Sequence, residues 1–479
     1  MNKSRRWTCV YFLKCYHSKQ CIRHETKQTL LKITSTIFIF LLPKPLSGLF
    51  FYLFMHKDLF VIEGIVANTG ERKSIEINTE TGLISKISEP NNKADVTLEN
   101  ELIFPGFIDL HVHAREDTSH TQDYKEDFIT ANEAAINGGV VAFAEMPNNP
   151  IPPIDDESYE AKNKLTKKSK VEILLYAGIG PHTSPLNKKV PYKVFMGPSV
   201  GELFFNTQKE LEEVIKNYEG ESVSFHCEDP EILEKNKNER THEKRRPPTA
   251  EISAVDFALG LIEKYHLSGK ICHCSTLEGV NKIIDAKARG VSVVVEVTPH
   301  HLYFDETILR EERKMFQVNP PIRQSKENRL GLIKLLKEGK IDFLATDHAP
   351  HTIEEKERGM SGLTHLDTYG PFVSWLMKEH DFTPQEIVRV CSENPGNFIN
   401  NFSEKKPART TDFVQSGGYG KIEEGYVGSL TILDMNKPVK ITKEILKTKC
   451  GWSPFEGITF DGSVVMTIIK GKILKNEIK

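Results

Sequence analysis

Between Gly106 and Thr346 the chain switches back and forth between short apolar runs suited to strands and longer amphipathic runs suited to helices. The strand candidates are Gly106–His113, Val140–Met146, Val171–Ile179, Tyr192–Met196, Ser222–His226, Lys270–Cys274, Val291–Val297 and Ile341–Thr346. Helical candidates lie between most of them, at Tyr124–Asn137, Ser158–Lys168, Gln208–Tyr218, Ala250–Tyr265, Leu277–Arg289 and Lys326–Lys337. Eight strands interleaved with helices over about 240 residues predict an α/β fold of the (β/α)8 TIM-barrel type. A doubly wound open sheet is the alternative. Against it, no Gly-rich phosphate-binding turn follows the first strand.

Both flanks of this region read differently. Residues 55–104 form short alternating strands broken by Asn-Thr-Gly and Glu-Thr-Gly turns, and short strands return at Ser429–Leu433, Val464–Lys470 and Lys472–Leu474. Two further helices are expected at His365–His380 and Pro384–Glu393. The predicted plan is therefore a barrel over 105–400, a connector rich in Lys, Thr, Ser and Gly over 401–420, and a small β-sandwich built from 55–104 and 421–479.

Residues 1–54 stand apart, with nine basic residues against the single acid Glu25. Pro43-Lys-Pro45 interrupts their apolar run, and a spanning helix needs about 20 uninterrupted apolar residues. A basic targeting segment, a disordered extension and a translation start placed too far upstream all remain open; the last is favoured, because Met55 opens an ordinary strand-and-turn pattern. Over the whole chain charge is nearly balanced, with 63 basic and 66 acidic residues, which argues against nucleic acid or a membrane surface as partner. Cys227, Cys272 and Cys274 sit inside apolar strand-like runs and read as reduced thiols of a cytoplasmic protein.

The chemistry gathers around Pro105-Gly-Phe-Ile-Asp-Leu-His-Val-His-Ala-Arg115. In an extended strand Ile108, Leu110 and Val112 share one face, while Asp109, His111, His113 and Arg115 share the other. Two imidazoles one strand repeat apart can grip a divalent metal ion. An isolated His-x-His says little, but ligand-type residues recur at later strand ends: His226, His273 and Asp347. Alternation turns Cys272 and Cys274 away from the face His273 uses, so they read as packing residues. Lys193 lies within an apolar strand, where a charged amine is costly. It either pairs with a buried carboxylate or, as the neutral amine, takes up carbon dioxide to form a carbamate that bridges two metals. The candidate set is then His111 and His113 on one ion, His226 and His273 on the other, Lys193 bridging, and Asp347 on the first ion and as proton carrier. Two zinc ions sharing a hydroxide would suit amide hydrolysis or its reversal.

With these residues assembled, the chain from about Met55 onward resembles the amidohydrolase superfamily, and within it the class I dihydroorotases. The resemblance rests on His111-Val-His-Ala-Arg115, Met146-Pro-Asn-Asn149, Lys193, His226, His273, Val297-Thr-Pro-His-His301, Asn319-Pro-Pro-Ile-Arg323 and Asp347-His-Ala-Pro-His351. It implies a binuclear zinc site with a bridging hydroxide that closes N-carbamoyl-L-aspartate reversibly to dihydroorotate in pyrimidine biosynthesis. Arg115, Asn149 and His351 would hold the substrate carboxylate, Asn319 the ring, and Glu354–Leu363 would be a mobile loop over the site. A structural ion pair between Arg115 and Glu116 is the plain alternative. A homodimer and association with aspartate transcarbamoylase are left open by the resemblance. So are an allantoinase or dihydropyrimidinase/hydantoinase activity and a catalytically inactive homologue acting as a partner protein. Glu116-Asp-Thr-Ser-His120 and Ser429 depart from the pattern common in such proteins.

Overall fold

The computed structural model describes residues 58–91, 93–197, 203–305, 314–403 and 417–478. The expectations for residues 1–54 and for most of the 401–420 connector fall outside these residues.

The chain opens with β1 (Leu59–Val66), β2 (Arg72–Asn78), β3 (Leu83–Ser88) and β4 (Val96–Pro105). Next come β5 (Phe107–Val112), β6 (Val140–Glu145), β7 (Glu172–Leu175), β8 (Ala177–Ile179), β9 (Tyr192–Phe195), β10 (Ser222–His226), β11 (Ser268–Ile271), β12 (Val293–Val297) and β13 (Phe343–Leu344). The last strands are β14 (Leu430–Asp434), β15 (Val439–Lys440), β16 (Thr459–Phe460), β17 (Ser463–Ile469) and β18 (Lys472–Asn476).

Strands from both ends of the chain pair into one continuous sheet of seven, in the order β18-β17-β14-β4-β1-β2-β3. Its pairings are antiparallel except β1 with β4. The alternation read in the sequence explains its core: Ile62, Ile75, Ile77, Ile84 and Ile103 are buried together with Ile432 and Ile468. Gly106 then carries the chain from this sheet into the parallel strands. A Cβ there would lie 2.3 Å from Val141 Cγ2, so only glycine allows the approach.

The parallel strands run strictly in chain order, β5-β6-β7 and β8-β9-β10-β11-β12-β13. Tyr176 joins the two runs. Its N–H donates to Glu145 O at 3.0 Å, and the next residue, Ala177, donates to Pro191 O at 2.9 Å. One extended segment thus pairs first with β6 and then with β9. At the far end His348 bridges Val112 in parallel, and His113 N–H donates to His348 O at 2.7 Å. The last strand position is thereby brought back to the first.

Differences from the expected elements have local causes. Ile341–Thr346 shortens to β13 because Thr346 N–H donates to Asp109 Oδ1 (3.0 Å) and Asp347 takes a positive φ of 50°, which ends the ladder. The helix expected from Tyr124 starts at Phe128, where Asp127 caps it through a reciprocal bond with Thr130. His365–His380 divides into a 3-10 turn, Leu366–Thr368, and a helix, Tyr369–Glu379, while Pro384–Glu393 divides into a helix to Val388 and a π turn.

Candidate active site

His111 lies on β5 and His113 just beyond it, and their Nε2 atoms converge on one oxygen. Asp347 Oδ1 is 3.3 Å from His111 Nε2 and 3.1 Å from His113 Nε2. These three residues form a group able to hold a metal ion. Asp109, below them, fixes the strand end by accepting from His111 N–H at 3.1 Å and from Thr346. Opposite, at the end of β10 and just past β11, His226 Nδ1 and His273 Nε2 stand 3.0 Å apart. The ring centroids of His111 and His273 are 5.1 Å apart, so all four imidazoles share one space.

Lys193 projects from β9 into the same interior. Its Nζ is buried and has no hydrogen-bond partner, and His273 Nδ1 is likewise buried without one. No carboxylate among the described residues pairs with Lys193, which removes support for the plain ion-pair reading. A buried amine and a buried ring nitrogen left without partners, beside two convergent donor sets, fit a site completed by metal ions. Electrostatics points the same way. Burial first, then neighbouring cations including Lys193, holds His111, His113 and His273 neutral, the form that binds metals. Burial also raises the Asp347 carboxyl to about 7, against the pull of Lys193.

Several residues of the site went unread in the sequence. Glu296, buried on β12, bonds His111 Nδ1, accepts from His273 N–H at 3.1 Å and pairs with Lys270 Nζ at 2.6 Å. It orients the His111 imidazole, directing Nε2 toward Asp347, and anchors the backbone at His273. A carboxylate inside Val-Val-Val-Glu-Val was the available signal, of the same kind that singled out Lys193. Glu228, bonded to His226 Nε2 at 2.9 Å and to Arg246, plays a similar part. The reading of Cys272 needs correction. Its thiol falls in a buried group with His111 and Glu296, whereas Cys274 turns to Glu251. Strict alternation fails there because His273 has a positive φ of 35°.

Above the imidazoles opens a cavity of about 470 Å³ whose lining includes Arg115, Asn148, Asn319, His351 and Gly359–Gly362. Arg115 is buried; its Nε donates to Pro350 O at 3.3 Å and Nη2 meets His351 Nε2 at 3.2 Å. Glu116 is engaged elsewhere, by Lys168 and by Phe128 N–H, so the Arg115–Glu116 ion pair is not formed. Asn319 Oδ1 and Asn148 Oδ1 are buried without partners. Asn149, expected at the substrate, instead donates to Arg115 O at 3.1 Å and accepts from Lys162 Nζ. Its neighbour Asn148 occupies the cavity wall. The loop expected to be mobile begins as a helix, Ile353–Glu357, and its remainder is tied down by hydrogen bonds to Lys356.

Comparison with known proteins agrees with this geometry. The amidohydrolase family profile matches residues 102–474. Dihydroorotase from Pyrococcus furiosus is 32% identical over 412 residues, spanning 85% of this chain and 91% of its own. Dihydroorotase from Thermococcus kodakarensis is 33% identical over 432 residues, spanning 88% and 95%. Among solved structures, L-hydantoinase from Arthrobacter aurescens superposes with a TM-score of 0.76 at 22% identity, covering 88% of this chain and 96% of that one. D-hydantoinase from a Thermus species gives 0.73 at 19%, covering 87% and 95%. Convergent imidazoles at parallel strand ends, a profile match across most of the length and relatives above 30% identity lead to one assignment: the chain belongs to the amidohydrolase family.

Proposed function

We propose that this protein is a dihydroorotase, closing N-carbamoyl-L-aspartate reversibly to (S)-dihydroorotate in de novo pyrimidine synthesis. The observation that carries this reading is Arg115. Its guanidinium is buried in the cavity wall with a carbonyl and an imidazole as hydrogen-bond partners, and no carboxylate among the described residues pairs with it. A buried cation so placed calls for an anion. Dihydroorotate brings a carboxylate to the ring, whereas dihydrouracil, hydantoin and allantoin bring none. The 32–33% identity to proteins named dihydroorotase supports the same choice over the hydantoinases, which share the fold at 19–22% identity.

In this reading β5 to β13 close as a (β/α)8 barrel over 105–400, and 55–104 with 421–479 form the small β domain beside it. His111, His113, His226, His273, Asp347 and a carboxylated Lys193 would hold two zinc ions. When bound, such ions supply a water acidic enough to attack at neutral pH and polarise the amide carbonyl. The chain does the rest. Arg115, His351 and Asn148 hold the substrate carboxylate, and Asn319 faces the ring. In the hydrolytic direction Asp347 takes the proton of the attacking water and returns it to the departing ring nitrogen. A cytoplasmic setting suits the free thiols at Cys227, Cys272, Cys274, Cys391 and Cys450.

Ring opening of dihydroorotate, dihydrouracil and allantoin tests the assignment. Dihydroorotate is expected to turn over, and Arg115→Ala to lose at least about thirtyfold in kcat/KM, since removing one partner of a buried charge pair costs about 2–5 kcal/mol. Turnover of dihydrouracil or allantoin alone would replace this reading with the corresponding hydantoinase or allantoinase.

A further inference from the structure

Lys356 lies on the short helix Ile353–Glu357 and is fully buried, yet no carboxylate among the described residues pairs with it. Its three ammonium protons are matched by three backbone carbonyls, Gln317 O, Met360 O and Gly362 O, each at 2.8 Å. Those acceptors belong to two separate stretches of chain, each in or next to the cavity wall. Gln317 directly precedes Val318 and Asn319, while Met360 and Gly362 belong to the facing strip Gly359–Gly362. Gly362 N–H also donates to Gln317 O at 2.9 Å, drawing the same two strips together. Behind the amine stands the Trp452 ring, 5.8 Å away, whose Nε1 donates to His351 O at 2.7 Å.

Burying a cation without a counter-ion is unfavourable, and burial alone lowers the Lys356 amine to about 7. An apolar side chain of similar length would fill the space at less cost to stability. What the lysine supplies, and an apolar residue does not, is a fixed distance between two loops. We propose that Lys356 is a positioning residue that cross-braces the Asn319 strip to the Gly359–Gly362 strip, giving the cavity a preset rigid wall for a small cyclic acid. This rests, for its substrate, on the dihydroorotase reading; the bracing itself does not. Preorganised walls favour binding because little ordering remains when the ligand arrives.

The test is Lys356→Met in the full-length protein, read two ways. Losing these charge-assisted bonds should raise exchange of amides in 358–363 by about a hundredfold, while those of Ser222–His226 on β10 keep their protection. The KM for dihydroorotate should rise about tenfold with kcat held within about threefold, because the wall and not the reacting groups has changed. Unchanged exchange in 358–363, or a fall in kcat at constant KM, would overturn the proposal. Should the Met variant not fold, Lys356→Gln keeps two donors and should give the same pattern at smaller amplitude; wild-type values would overturn the brace. If the wild type leaves dihydroorotate intact, the exchange measurement alone decides. Failure of the substrate assignment is thereby distinguished from failure of the brace.

Discussion

Asn148 and Asn149 are adjacent in sequence and chemically identical, yet their side chains have opposite employment. Asn149 is enclosed between Lys162 and the carbonyl of Arg115, so it supports the loop that carries the guanidinium. Asn148 stands in the cavity wall with a buried, unpartnered Oδ1. Motif spacing located the pair, but which member faces the ligand depends on a loop conformation that no period describes. Cys272 illustrates the same limit, since the left-handed backbone at His273 reverses the expected facing. By contrast His111, His113, Lys193, His226 and Asp347 were legible because an inward strand end offers a side chain few directions. The two asparagines separate by experiment. Asn148→Ala should lower kcat/KM by about ten- to a hundredfold with little change in melting temperature, having removed a ligand contact worth about 1.5–3 kcal/mol. Asn149→Ala should chiefly lower the melting temperature, because it leaves Lys162 with fewer partners. The reverse pattern in paired melting and kinetic measurements would return the substrate role to Asn149.

Helices were read to within a few residues because their ends are written in side chains. Asp127, Asp155, Thr207, Thr276, Ser325 and Thr383 each accept from a first-turn N–H. Strand lengths were read less well, since β7, β8 and β13 end where a side chain or a neighbouring strand takes over the hydrogen bonds. Asp127 has a further task beyond capping, pairing with Lys449 and so fastening the helix Phe128–Gly138 to the chain's C-terminal region. Burial opposes ionisation of Asp127, but Lys449 and the cap N–H groups outweigh it and hold its pKa below 3.8. A depressed acid stabilises the fold above its unfolded value and ceases to do so as pH falls through the folded one. Asp127→Ala should therefore cost about 1–2 kcal/mol at pH 7. The gap between variant and wild type should narrow once pH drops well below about 4. Urea unfolding at the two pH values measures it; an equal gap at both would show that the carboxylate's charge contributes nothing there.

At the scale of the molecule, groups that would hold metal come from β5, β9, β10, the turn after β11 and the turn after β13, elements separated by more than two hundred residues of sequence. Only the chain-order pairing of the parallel strands and the His348–Val112 bridge bring them together. The strand-and-helix alternation made that order readable, whereas the seven-stranded sheet, paired across the whole chain, could be anticipated in its strands but not in its order. A site of this kind couples binding to folding. His111, His113 and His273 are held neutral by burial, and Lys193 has no partner of its own. Metal bound there would tie five parts of the chain together, and whatever binds only the native state stabilises it by about 2.7 kcal/mol at a hundredfold excess over Kd. Chelation should consequently abolish dihydroorotate ring opening and lower the melting temperature together, and added zinc with bicarbonate should restore both. His226→Ala with His273→Ala should reduce zinc content from about two equivalents to about one and shrink the thermal shift accordingly. Full activity in chelated protein, with zinc absent by elemental analysis, would leave the clustered imidazoles without the role assigned to them.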